Sequence, residues 1–420
     1  MRFFLAFLIL SLGAAEASFA QGDSARPSTV FEQVIGRPTG QNGYEELVLA
    51  GERVRSSRAW RDAELAGAGA TLTQKRRVLA DRPVREALAL LQAGLAKPIR
   101  SPRGELNLAT VLPEYSLFRS LARMLVLRTQ VLVADGQADE AVRNVELGLR
   151  LSRAVQQETV ISGLVGIAVA ALSVQGIAPY VEALPARECE ALFQACTAWL
   201  NDPSPLLRIL EAERRMLKTS MAMLRAETDA NGPGALQGWI TTVFNPSVED
   251  TDDSQKLRRL AADLQSTYGG SPQQLAEFYR RMEGQIDRYF DALVVEAKRS
   301  RWDAAPPRLP EETPLDRWLA RMAPAMDRLF ERYSTEDAYV RLLAVHCALH
   351  RFQWEQDRLP DTLAELGLPQ LCVDPHTGET LGYERLGSRS YRLTSAGSRA
   401  EPDDPKAVNG RRPILLGPGG

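Results

Sequence analysis

Between Val160 and Val181 the chain runs without a single charged side chain (VISGLVGIAVAALSVQGIAPYV). Such a stretch has two stable outcomes. It crosses a bilayer, which takes about 20 apolar residues, or it is the innermost helix of a water-soluble protein. Its composition favours the second. Gly163, Gly166, Gly176, Ser162, Ser173 and Gln175 interrupt it, Pro179 lies near its end, and neither flank carries the basic cluster that sets a membrane topology. We expect a buried central helix whose small residues admit close neighbours.

The neighbours are legible as amphipathic helices. Leu117 to Ala134 and Ala138 to Val155 show helical periodicity and are joined by Asp135-Gly136-Gln137. Gly136 suits the left-handed position that closes a helix. Asp139 and Glu140 fall in the next first turn, where the helix dipole favours acids. So short a connection makes the pair antiparallel. Upstream, Gly43 to Gly67 and Leu72 to Lys97 read as helices, with a break expected at Pro83. Downstream come Ala186 to Leu200, Pro205 to Thr228, Ser254 to Thr267, Pro272 to Arg301, Pro314 to Tyr333 and Thr335 to Trp354, several opened by Ser, Asp or Thr with Pro close behind. Ala230 to Asp253 reads as a loop carrying Trp239, Ile240, Val243 and Phe244 as an apolar plug. Its acidic run (Glu249, Asp250, Asp252, Asp253) lacks the Gly turn and closing Glu of a calcium loop and reads as a solvated helix start.

The central hairpin resembles one tetratricopeptide repeat through Gly136, Ala141, Val145 and Leu149, with Leu125 and Leu132 in its first helix. Arg128, Thr129 and Arg153 depart from that pattern, and no second copy follows at the repeat's period of about 34 residues. The resemblance implies helix-on-helix packing, with a peptide-binding groove as the family's use of it.

From about Thr335 the character changes. A helix leads to Arg358-Leu359-Pro360-Asp361-Thr362-Leu363, then Asp374-Pro375-His376-Thr377-Gly378, then two alternating runs, Leu381 to Leu386 and Ser390 to Thr394, split by Gly387-Ser388-Arg389. That split is a hairpin loop, closed by Ser395-Ala396-Gly397. The order resembles the C-terminal region of bacterial type II secretion pseudopilins and pilin-like proteins. Leu359, Pro360, Thr362, Leu363, Asp374, Pro375, Gly378, Leu381, Tyr383, Tyr391, Leu393, Ser395 and Gly397 carry the likeness. The prepilin cleavage motif and long apolar first helix are missing, and the acidic calcium loop of some members is reduced to Glu401, Asp403 and Asp404. The pilus-building role therefore does not follow. As a whole the chain also resembles large exported bacterial helical proteins of unassigned activity, which implies an architecture and no reaction.

The fold class expected is mainly α: an antiparallel helical bundle or hairpin stack with a small C-terminal α+β tail built on a β-hairpin. We divide the chain into a signal peptide (1–20), a flexible lead-in (21–41), a helical body (42–303), a Pro-rich linker (304–314) and the C-terminal helices with the pilin-like tail (315–420). The signal peptide rests on Arg2, the apolar run Phe3 to Ala15 and the small residues Ser18 and Ala20 before Gln21. It places the working protein in the bacterial periplasm or outside the cell.

Charge narrows the partners. With 51 basic and 53 acidic residues the formal net charge is −2, which argues against nucleic acid and against an anionic membrane surface. No membrane contact is expected beyond the removed leader, and other envelope proteins are the expected partners. Of the four cysteines, Cys189 and Cys196 lie on one helix about 10 Å apart, too far to bridge. Any disulfide must tie one of them to Cys347 or Cys372, or join the last two; four buried thiols is the plainer expectation.

Signature searches for a nucleophile elbow, a zincin helix, C-x-x-C, a P-loop and a dinucleotide fingerprint find none. We expect no catalytic residue and no cofactor. His346 and His350, spaced i, i+4 on one helix, are the sole metal candidates, but Cys347 stands where a metalloprotease has Glu. Carboxylates such as Glu45, Glu46, Glu211 and Glu213 coat helix faces without a legible pairing. The function expected is an exported, non-enzymatic helical scaffold or protein-interaction protein of the bacterial envelope; the alternative is a hydrolase of envelope or extracellular polymer.

Overall fold

The computed structural model describes residues 29–108, 110–238, 252–320, 323–400 and 404–416. The leader, the first part of the lead-in and the apolar plug at Trp239, Ile240, Val243 and Phe244 lie outside the described residues, as do Glu249, Asp250, Glu401 and Asp403. The expected class is what folds: helices throughout, then a small antiparallel sheet. In chain order the helices are α1 (Val30–Val34), α2 (Gly43–Ser56), α3 (Arg58–Ala66), α4 (Leu72–Ala80), α5 (Arg82–Leu95), α6 (Glu114–Ala134), α7 (Ala138–Val155) and α8 (Val160–Ile177). They continue as α9 (Ala186–Asn201), α10 (Leu206–Asn231), α11 (Asp252–Tyr268), α12 (Pro272–Ala297), α13 (Pro314–Ala320) and α14 (Ala323–Gln356).

The α6–α7 hairpin forms on the residues expected. Gly136 takes φ +72°, its N–H meets the Val133 carbonyl and that of Gln137 reaches back to Leu132 at 2.8 Å. This paired closure satisfies the last carbonyls of α6. The positions that depart from the tetratricopeptide pattern are used for polar pairing instead. Arg128 donates to Asn144 Oδ1 at 2.9 Å and to Glu140 at 3.0 Å, while Asn144 Nδ2 donates to the Leu125 carbonyl and to Thr129 Oγ1.

The charge-free run becomes α8, opened by a capping box between Thr159 and Ser162. It is one helix long and apolar enough to cross a membrane, yet two thirds of its most apolar window is buried within the protein. The reason is visible in its three faces. Ala170, Val174 and Ile177 belong to a core shared with α7, α9, α14 and the C-terminal sheet. Val160 and Ile167 join the core of α10 to α14. Val165 and Val169 join the core of α2 to α7. A helix that is apolar on every side is stable only where every side is covered.

The tail is a sheet of strand order β1-β2-β3, with β1 (Gly382–Arg385), β2 (Tyr391–Arg399) and β3 (Arg411–Leu416). Tyr383 pairs with Leu393 and Ser395 with Ile414. Alternation along β2 turns Tyr391, Leu393 and Ser395 inward against α14. Asp374, itself buried, accepts from His376 N at 2.9 Å, Ser395 Oγ at 2.9 Å and Ala396 N at 2.6 Å. The Asp-Pro turn is thereby pinned to the middle of the sheet.

Several expectations are corrected. The tail is three-stranded, and β2 runs on through Ser395-Ala396-Gly397 across a register shift. Residues 29–41 of the lead-in are tied down: Thr29 caps α1, and the Glu45 carboxylate accepts from Thr39 N and Gly40 N at 2.8 Å each. The break in Leu72 to Lys97 falls at Asp81, with Pro83 inside the first turn of α5, where its missing N–H costs nothing. The boundary expected at Ser334 is absent: α14 runs through it from Ala323 to Gln356, and Pro314–Ala320 is the separate helix α13. Ser334 Oγ and Thr335 Oγ1 donate to the carbonyls of Phe330 and Glu331, so the pair is carried within α14.

Candidate functional site

Four residues, Gln156 to Thr159, connect α7 to α8 and gather the most unusual electrostatics in the molecule around them. Gln156 is fully enclosed. Its Nε2 donates to Glu336 Oε1 at 2.8 Å, its Oε1 accepts from the Tyr333 hydroxyl at 2.8 Å, and its carbonyl accepts from Arg208 at 2.7 Å. Glu336 and Tyr333 enter from α14, one helical turn apart. The Arg153 guanidinium stacks over Trp199 at 3.7 Å and holds its Nη1 3.7 Å from Glu336 Oε2. That separation is too long for a hydrogen bond, and neither atom has another partner. Burial accordingly outweighs the arginine, pushing the Glu336 carboxyl up to about 8. Burial and the nearby Glu336 also push Tyr333 up.

The other side of the connection faces the irregular segment that joins α5 to α6. Arg103 of that segment grips the fully buried Glu114 through two bonds of 2.8 Å. The Tyr44 hydroxyl donates to the same carboxylate at 3.2 Å. Glu158 lies beside this pair: burial raises its carboxyl against the opposing pull of Ser101 and Arg103, and the Glu114 charge adds to the rise. At the start of α8 the Val160 N–H donates to Glu213 at 3.0 Å, and burial lifts that carboxyl to about 7.

Chemically, burial in this seam favours the protonated form of Glu336, Glu213 and Glu158, carboxyls that water normally ionises. None of these groups lines the groove of about 620 Å³ that runs elsewhere, between α1, α2 and α6. Val30, Phe31, Leu49 and Leu117 give that groove an apolar surface, and Glu32, Glu52, Arg53 and Arg55 give it charge.

The metal candidates sit apart from both. His346 meets the Tyr391 hydroxyl through Nδ1 and the Ala178 carbonyl through its ring, and burial drives it down to about 4. His350 faces the carbonyls of Glu182 and Leu184 and lies 4.2 Å, centroid to centroid, from Trp354. His376 is in the Asp-Pro turn, 3.4 Å from Thr335 Oγ1. Among the described residues no three His, Cys, Asp or Glu converge on a point that would hold an ion. Glu45, Glu46 and Glu213 are dispersed, Glu46 on Lys97 and the others as described; Glu211 is half-buried on α10. The cysteines are unlinked, buried thiols.

Gln156, Glu158 and Glu336 were not singled out in the sequence, and Arg153 stood out there only as a departure from the repeat pattern. The one local signal was the polar triplet Gln156-Gln157-Glu158 placed between two apolar helices. Compared with known proteins, the chain matches no family model, no curated protein and no solved structure.

Proposed function

We propose that the protein is an exported, non-enzymatic helical scaffold that binds other proteins of the bacterial envelope. One observation carries this reading: the most displaced acids, Glu336 and Glu213, are enclosed in the helical stack, whereas the groove that opens to solvent mixes apolar and charged side chains, the surface chemistry of a protein contact. The hairpin reaches that groove through Leu117 of α6. α6 and α7 are covered by α2, α4, α5, α8 and α9, leaving Asp139, Arg143, Glu146 and Arg150 as an exposed charged stripe on α7.

The test is site-specific photo-crosslinking in cells producing the full chain. A crosslinker at Arg55, on the groove, is expected to yield adducts with envelope proteins, and one at Arg143 is not. Equal labelling from both positions, or recovery of the protein in the cytosol with Met1 intact, would overturn the proposal.

The hydrolase alternative has one specific support, the pair Glu114 and Glu158 interacting beside Arg103. It requires polymer turnover that disappears in Glu158→Gln while the fold persists.

A further inference from the structure

Cys189, Cys196 and Cys347 belong to one core cluster, and each is at most 1% exposed. Cys189 and Cys196 lie on α9, Cys347 on α14, and these two helices pack extensively against each other. Across this packing the Cys347 thiol interacts with both thiols of α9, more strongly with Cys189 than with Cys196. The Cys189 Sγ also donates to the Val181 carbonyl at 3.6 Å. Cys372 belongs to the same core cluster but lies off the two helices, in the turn before β1, with Arg341 nearby. Spacing along α9 forbids a Cys189–Cys196 bond, so Cys347 is the thiol that has a choice, and its contact is with Cys189.

We propose that Cys189 and Cys347 are a modification site: under oxidising conditions they form a disulfide that staples α9 to α14. In its cellular setting this rests on the export proposed above. The oxidant is a disulfide of the glutathione or protein class. A thiolate of the pair attacks one sulfur of that disulfide, whose S–S bond breaks and releases one thiol. The second thiol of the pair loses its proton and attacks the mixed disulfide, releasing the other thiol. Two cysteine thiols are thereby oxidised and one external disulfide is reduced. The timing follows from burial. Enclosure raises the Cys347 thiol and keeps it protonated, so it is unreactive in the finished fold. The bond must form while the core is closing, and afterwards it is shielded from reductants. The loop it closes, about 160 residues, is long enough for a large constraint on the unfolded chain.

The full mature chain is denatured, reduced and refolded with and without a glutathione disulfide couple, then denatured, alkylated, digested and read by mass spectrometry. The expected result is a Cys189–Cys347 linked peptide, with Cys196 and Cys372 alkylated. The thermal midpoint should rise by several degrees, and dithiothreitol should reverse the rise in wild type but have no effect in Cys189→Ala or Cys347→Ala. Four alkylated thiols after oxidative refolding, or a link from Cys347 to Cys196, would overturn the proposal. The refolding step is independent of compartment. If it forms the link while protein taken from cells lacks it, the export reading falls and the cysteine pairing stands.

Discussion

Glu336 shows what one buried carboxyl does to a fold of this kind. Its folded value of about 8 stands well above the roughly 4.3 of an unfolded glutamate. Between those values the native protein keeps a proton that the unfolded chain releases. Stability is therefore present in full below about pH 4 and is lost as pH rises towards 8, by a few kcal/mol in all. Glu213 acts in the same direction over a shorter window ending near 7. His346 acts oppositely. Held down to about 4 by burial, it leaves its stabilisation intact above about pH 6.5 and surrenders it as pH falls. Two carboxyls lose stabilisation over the range in which one histidine gains it, so we expect urea midpoints of the wild type to be highest near about pH 4–5 and to fall as pH rises towards 8. Glu336→Gln should flatten the alkaline limb and be the more stable protein at pH 8. Parallel limbs in the two proteins would show that Glu336 is ionised in the fold. The sequence offered no hint of these values, because a pKa shift is set by enclosure and by partners remote in the chain.

Among the elements, two glycines separate local from tertiary demands. Gly136 occupies the left-handed position with open space around it, so Gly136→Ala should cost only about 1 kcal/mol of backbone strain. Gly166, inside α8, is different. A Cβ there would lie 2.2 Å from Gln156 Cγ and 2.5 Å from the Ser152 carbonyl. Gly166→Ala gains helix propensity yet should lose about 2–4 kcal/mol by overpacking, read as the larger fall in denaturant midpoint. Equal falls would mean that α7 yields at this crossing. The turn at Gly136 was readable, since three residues and a periodicity switch contain it. The third strand was not, because Arg411-Arg412-Pro413 carries a break signal, and β3 is ordered by its pairing to β2. The continuity of α14 was hidden by Ser334 and Thr335, whose capping preference is overridden once their hydroxyls bond back to the preceding turn.

For the whole molecule, the consequence of placing α8 in three cores is cooperativity. Ile177 touches the cluster that holds both α7 and the inner face of the tail sheet. Truncating it to Ala should cost about 2–5 kcal/mol and raise hydrogen exchange in β2 and α7 together. Faster exchange confined to the sheet would show the tail to be an independent unit. The chain by itself determined that the protein is helical, where its central hairpin turns and which segment lies innermost. Those properties are periodicities and turn chemistry, written within a few residues. Tertiary structure alone decided which polar groups share the interior. Gln156 and Glu336 meet across a separation of 180 residues, and so distant a pairing leaves no pattern in either neighbourhood. It arises only when α8 brings the two halves of the stack onto its opposite faces and water is expelled from between them.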